Sequence, residues 1–175
     1  MVRAQRSNRR KVSGAASRTQ IVALGFQIAP LPTARAALAY PLLRAHWPQW
    51  TLSDWLARAA RLDSPPGGMQ AAFDRSGYMY GLSATALGRD EADERVLRIE
   101  LLVALGLVNT DVLMLLIDAI ERRARAKSCR AIVLAPDAIG VAMHRQRPNP
   151  AAQVLSPVGF IPWNGTLAKR LPDRA

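Results

Sequence analysis

A single cysteine, Cys129, in 175 residues leaves nothing to build an internal disulfide framework from, and it fits a reducing cytosol. The two histidines, His46 and His144, both lie far from it in sequence, so no zinc-ligand spacing exists and no metal site is expected. Neither histidine accompanies a nucleophile-elbow motif, which removes serine-triad chemistry. No apolar run reaches the roughly 18 residues that a membrane-spanning helix needs. The longest runs, residues 101–108 and 112–117, are separated by Asn109, Thr110 and Asp111. No membrane span and a cytoplasmic location are the expectations. The last scarcity is one of sign: no acidic residue precedes Asp54.

What is present follows from that asymmetry. Arg3, Arg6, Arg9, Arg10, Lys11, Arg18, Arg35 and Arg44 all precede Asp54 and carry most of the net charge of +11. A basic segment of this kind attracts nucleic acid, an anionic surface or another acidic partner, and it serves equally as a solvated tail. Residues 1–18 are basic, small and polar with no hydrophobic period, and so read as a disordered tail. They lack the central apolar segment of a secretory signal. Their arginine- and serine-rich start matches a mitochondrial transit peptide in composition but not in amphipathic patterning. Residues 19–175, in a chain that is 50% hydrophobic, are long enough to bury a core as one domain.

Within that domain residues 21–28 form a β-type apolar run closed by Pro30 and Pro32. Thr33 is placed to cap a helix over residues 34–44. A second helix over residues 51–62 starts at Thr51 or Ser53 and carries Leu52, Trp55, Leu56, Ala59 and Leu62 on one stripe. The loop at residues 64–68 leads to strands at 69–73 and 78–87, joined by the hairpin signal Asp74-Arg75-Ser76-Gly77. After a charged turn at 88–94, residues 95–103 are apolar almost throughout, the mark of a central strand. Asn109, Thr110 and Asp111 are successive N-cap candidates for a long helix ending near Ser128. Its buried stripe is Val112, Leu113, Leu116, Ile117, Ile120 and Ala124. A buried strand at 129–134, a short helix at 137–145 and strand material at 158–171 complete the order β-α-α-β-β-β-α-β-α-β.

This order, together with the segment ELLVALGLVNTDVLMLLIDAIERRARAKSCRAIVL (residues 100–134), resembles the GNAT family of acyl-CoA-dependent N-acyltransferases. The segment is similar, without a gap, to that family's fourth strand, third helix and fifth strand. Pro157-Val158-Gly159-Phe160, followed by a strand ending in LAKRL, looks like its Gly-Phe turn and final hairpin. The resemblance implies an α/β (α+β) fold, a GNAT-like mixed, mostly antiparallel sheet flanked by helices in a single domain.

It also implies acyl transfer from acetyl-CoA or another acyl-CoA to an amine. Glu100 stands where a strand carboxylate assists deprotonation of that amine, and the backbone of Leu101, Leu102 and Val103 stands where the pantetheine arm is oriented. The pyrophosphate loop falls on Val108, Asn109, Thr110, Asp111, Val112 and Leu113. There the family uses Gln/Arg-x-x-Gly-x-Gly/Ala, so that backbone N–H groups at the helix N-terminus approach the phosphates. This chain departs from the pattern at Val108, Asp111 and Leu113, and Leu155 replaces the tyrosine that serves as general acid in many members. The departures raise an alternative: a non-catalytic GNAT-like binding or scaffold protein whose basic tail contacts nucleic acid or an acidic partner.

Overall fold

The apolar run at residues 21–28 does not make one strand. Gly25, at φ +84°, turns it back on itself as β1 (Val22–Ala23) and β2 (Phe26–Pro30), with Ala23 opposite Phe26. The structure is a computed structural model that describes residues 22–23, 25–63, 67–105, 110–136, 138–140, 152 and 155–172. The tail expected at residues 1–18 lies outside the described residues.

From β2 the chain passes over one face of the sheet through a 3-10 turn at Thr33–Ala39, then α1 (Tyr40–His46) and α2 (Leu52–Leu62). It returns as β3 (Gly68–Asp74), β4 (Met79–Arg89) and β5 (Arg95–Ala104), each antiparallel to its predecessor, with β3 antiparallel to β2. Both hairpin turns are closed by an aspartate side chain accepting backbone N–H bonds. Asp74 accepts from Ser76 and Tyr78, and Asp90 accepts from Ala92 and Glu94. The helix α3 (Thr110–Ala126) then crosses to β6 (Ala131–Leu134), which runs parallel to β5. After β7 (Ile139–Gly140), the hairpin of β8 (Ile161–Trp163) and β9 (Thr166–Arg170) adds to the far side of β6. The path across the sheet is β1-β2-β3-β4-β5-β6-β9-β8, with β7 beside β5.

Each face of the sheet has its own core. On one, Leu97, Ile99 and Leu102 of β5 pack with Val112, Leu116, Ile117 and Ile120 of α3 and with Phe160. On the other, Leu101 and Val103 pack with Leu42, Leu43 and Trp55 of α1 and α2. The stripe expected on α3 is thus buried, Leu113 only partly. Along α3, Glu121 meets Arg125 at 3.2 Å. Glu121 is also held by Lys169 of β9.

Three local expectations are corrected. Thr33 does not cap a helix: its N–H (2.9 Å) and hydroxyl (2.7 Å) both donate to Asp63 at the far end of α2, tying the two ends of the helical layer together. The α2 stripe is only half a stripe, with Trp55 and Ala59 buried but Leu52 and Leu56 exposed. Ile139 and Gly140, expected within a helix, form a short strand, because the open edge of β5 offers them backbone partners. Thr51 does form the expected cap, in a reciprocal box with Asp54. No helix among the described residues is long and apolar enough to cross a membrane.

Candidate active site

Side chains along a strand alternate between faces, so Ile99, Leu101 and Val103 of β5 would ordinarily share one. They do not. Ala84 of β4 stands opposite Leu101, and the next residue, Thr85, stands opposite Ile99, which leaves Glu100 as the extra residue of a β-bulge. The bulge shifts the alternation by one. Leu97 and Ile99 face α3 before it, and Leu101 and Val103 face α1 and α2 after it. Arg98, Glu100 and Leu101 therefore share the α2 face, and Glu100 is carried there as a partly buried carboxylate, 25% exposed.

Around Glu100 lies a cleft of about 310 Å³, lined by Arg58, Arg61 and Leu62 of α2, Gly67, Ala86 of β4 and Glu100 itself. A second hollow of about 260 Å³ adjoins it along α2, lined by Trp50, Asp54, Ala57 and the same two arginines. Arg58 is the wall between them. Its guanidinium lies over the Trp50 ring at 5.1 Å from the centroid, and Trp50 is itself stacked on Trp47 at 4.7 Å. One terminal nitrogen of Arg58 reaches the Glu100 carbonyl at 3.5 Å, and its buried Nε has no hydrogen-bond partner. Arg98 Nε stands 3.8 Å from Glu100 Oε1, an ion pair too long to be a hydrogen bond. Gly67, beneath the cleft, is pinned from α3 by a 2.7 Å bond from Arg123 to its carbonyl. Of the three tryptophans near α2, Trp55 is core, its Nε1 donating to Ala36 O at 2.7 Å.

The residues expected to hold an acyl-CoA are placed differently. The side chains of Leu101, Leu102 and Val103 are fully buried. Their backbones are committed too: on one edge they pair with β4, and on the other the Leu102 N–H donates to Ala138 O at 2.7 Å. Ala135 N–H continues this strip by donating to Ile99 O at 2.9 Å, and Ile139 and Gly140 lie opposite Leu102 and Val103. The chain's own residues thus occupy the edge of β5 beyond the end of β6. At the start of α3, Val108 and Asn109 lie outside the described residues, Thr110 opens the helix and Asp111 places a carboxylate in its first turn. Val112 is core, packed so tightly on β4 that a Cβ at Gly81 would come within 2.8 Å of it. Leu113 is partly buried against the same core. Arranged in this way, these residues do not fit an acyl-CoA: the strand amide is taken, and the helix N-terminus presents negative charge where phosphates need donors.

The Gly-Phe turn stands as the resemblance implied. Ser156–Val158 form a 3-10 turn, Gly159 takes φ +89°, and Phe160 drops into the core beside a fully buried Leu155. The arginines of the cleft carried no sequence signal. Arg58 and Arg61 sit on the polar side of an amphipathic helix, and only the packing of α2 on the sheet shows that this side borders the cleft at Glu100.

Two titratable groups are displaced from their ordinary values. The Thr51 hydroxyl, and then the Thr51 N–H, hold the Asp54 carboxyl below the usual carboxylate range. Burial pushes the Cys129 thiol up, with Arg95 and Lys127 acting weakly the other way.

No family model and no curated protein sequence matches the chain. Solved structures do. An aminoglycoside 6'-acetyltransferase of type Ii superposes over 85% of this chain and 99% of its own, with a TM-score of 0.62 at 15% identity. An aminoglycoside N-acetyltransferase in complex with CoA superposes over 81% of this chain and 86% of its own, with a TM-score of 0.58 at 16% identity. The GCN5-related glucosamine N-acetyltransferase region of a fungal multi-domain β-N-acetylglucosaminidase gives a TM-score of 0.61 at 16% identity. That match covers 81% of this chain and only 17% of the much longer fungal one. Identities this low speak for fold alone, and on that evidence the chain has the fold of the GNAT N-acetyltransferases.

Proposed function

We propose that this chain is an N-acyltransferase that delivers an acyl group to an amine, with Glu100 as the group that takes the amine proton. The observation that carries the reading is the β-bulge, which turns the one carboxylate of the central strand into a cleft between α2 and the sheet. A carboxylate in that position holds an ammonium group and accepts its proton as the nitrogen becomes a nucleophile. The likeness in fold to N-acetyltransferases, one of them in complex with CoA, supports the same reading. On the donor side, acetyl-CoA or another acyl-CoA does not fit the edge of β5 while Ala138 holds the Leu102 N–H. Weak donor binding is the expected consequence. Calorimetric titration with acetyl-CoA and with a long-chain acyl-CoA, alongside an acylation assay over a panel of amines, tests the reading. Transfer without any dependence on Glu100, or no transfer at all, counts against it.

A second reading is favoured by the closed edge and by Asp111: a non-catalytic binding or scaffold protein that keeps the fold and has filled its cofactor edge with its own chain. Its basic tail would then contact nucleic acid or an acidic partner. On duplex DNA, removal of residues 1–18 should flatten the salt dependence of affinity by about 0.9 for each phosphate that the tail neutralises. An unchanged slope removes nucleic acid from this reading.

A further inference from the structure

We infer that the Glu100 cleft takes a compact amine that also carries a carboxylate, the amine set on Glu100 and the carboxylate on Arg58 and Arg61. The inference rests on the reading of this cleft as the amine site. It extends that reading from amines in general to one chemical class.

Arg58 carries a guanidinium that is under-used where it sits. It is partly buried, yet among the described residues its five N–H donors find only the Glu100 carbonyl, at a long 3.5 Å, and its Nε is buried without a partner. A buried Nε–H is costly to leave unmet, and the Trp50 face against the guanidinium does not satisfy it. Trp50 does fix the plane of the guanidinium, and so pre-orients a fork whose geometry matches a carboxylate with two parallel bonds. Arg61, one helical turn on and lining the same two hollows, makes no ion pair with any described residue. The nearest carboxylates do not fill the role. Asp54 is engaged by Thr51 in the helix cap, and among the described residues the Glu100 side chain pairs only with Arg98, at 3.8 Å.

The cleft therefore sets two guanidinium groups, neither with a carboxylate partner among the described residues, beside one carboxylate that has a single long ion pair. A simple amine would answer Glu100 and face two arginines of its own sign. A simple carboxylate would answer the arginines and meet Glu100. A molecule carrying both groups answers all three. The guanidinium of Arg58 reaches the backbone of Glu100 itself, so the two poles of the ligand lie within a few bonds of each other. The cleft volume of about 310 Å³ suits a small amino carboxylate rather than a large basic substrate.

Three probes of matched length separate the terms: 4-aminobutyrate, n-butylamine and butyrate, each titrated into the full chain and followed by amide NMR. Addition of 4-aminobutyrate is expected to move the signals of Arg58, Ala86 and Glu100, and it should bind at least about tenfold tighter than either single-charge probe, the scale of one charged hydrogen bond. Arg61→Gln, at an exposed position that the fold does not use, should weaken 4-aminobutyrate about tenfold without weakening n-butylamine, which loses a charge of its own sign. Arg58→Lys should weaken it as well, because an ammonium cannot reproduce the fork. The inference is overturned if n-butylamine binds as well as 4-aminobutyrate, if both arginine variants bind it as the wild type does, or if no cleft signal moves with any probe. Binding is read without a donor, so the two failures separate. Arginine-dependent binding with no acyl transfer would overturn the acyltransferase reading alone, and equal acylation of amines with and without a carboxylate would overturn this inference alone.

Discussion

At Gly81 the sheet and α3 come as close as two elements can. A Cβ there would lie 2.8 Å from Val112, 2.9 Å from Leu116 and 3.2 Å from the carbonyl of Val103, so the missing side chain is what lets the helix settle on β4. Gly81→Ala should cost about 1–3 kcal/mol through overpacking, read as a lowered denaturant midpoint at unchanged slope. Thr51→Ala removes the α2 cap and should cost about 1 kcal/mol. It should also reduce acid sensitivity, and the sign follows from Asp54. Its folded carboxyl holds a proton less readily than the unfolded one, so the stability it adds is present above the ordinary carboxylate range and is lost as pH falls through the lower folded value. A comparison of wild type and Thr51→Ala in acid titrations of stability checks this. Cys129 shows the opposite sign. Burial keeps its thiol protonated to higher pH than in the unfolded chain, and that contribution fades as pH rises past the unfolded thiol's value. The folded protein at about pH 8, near the ordinary thiol value, should therefore resist aromatic disulfide reagents and react once denatured. Rapid native labelling would contradict the burial.

At the scale of elements, β5 is where the fold and the chemistry meet. Its bulge turns Glu100 toward α2, and its far edge is closed by Ala135, Ala138, Ile139 and Gly140. Two consequences can be measured. The Leu102 amide should exchange slowly with deuterium, because Ala138 engages its N–H as a neighbouring strand would. Asp111→Gly removes the carboxylate from the first turn of α3, so it should tighten acetyl-CoA while lowering thermal stability, since an acid there favours the helix dipole. The strands and helices themselves were legible from periodicity. The central strand reads as apolar almost throughout because most of it is covered on both faces, and the stripe of α3 reads cleanly because a whole face of it is buried. The bulge was not legible: a register shift depends on which residue of β4 meets which residue of β5, and no local pattern encodes that. Ile139 and Gly140 misread as helix for a related reason. Their extended form comes from a partner edge that is distant in sequence.

For the molecule as a whole, one sheet separates two apolar cores, and the cleft at Glu100 opens on the side of α2. Sequence resemblance carried the fold and pointed to Glu100, since both rest on the order of elements and on one strand that aligns without a gap. It did not carry Arg58 and Arg61, because the charge lining a cleft belongs to the packing of α2 on the sheet and not to a motif. Glu100 acting on an amine is the centre of the proposed chemistry, and acyl transfer at saturating acetyl-CoA, compared between wild type and Glu100→Gln, tests it most directly. Loss of a positioned base should lower the rate by about 10²-fold or more while the variant stays folded. Equal rates in the two proteins, or no transfer by the wild type to any amine offered, would contradict it.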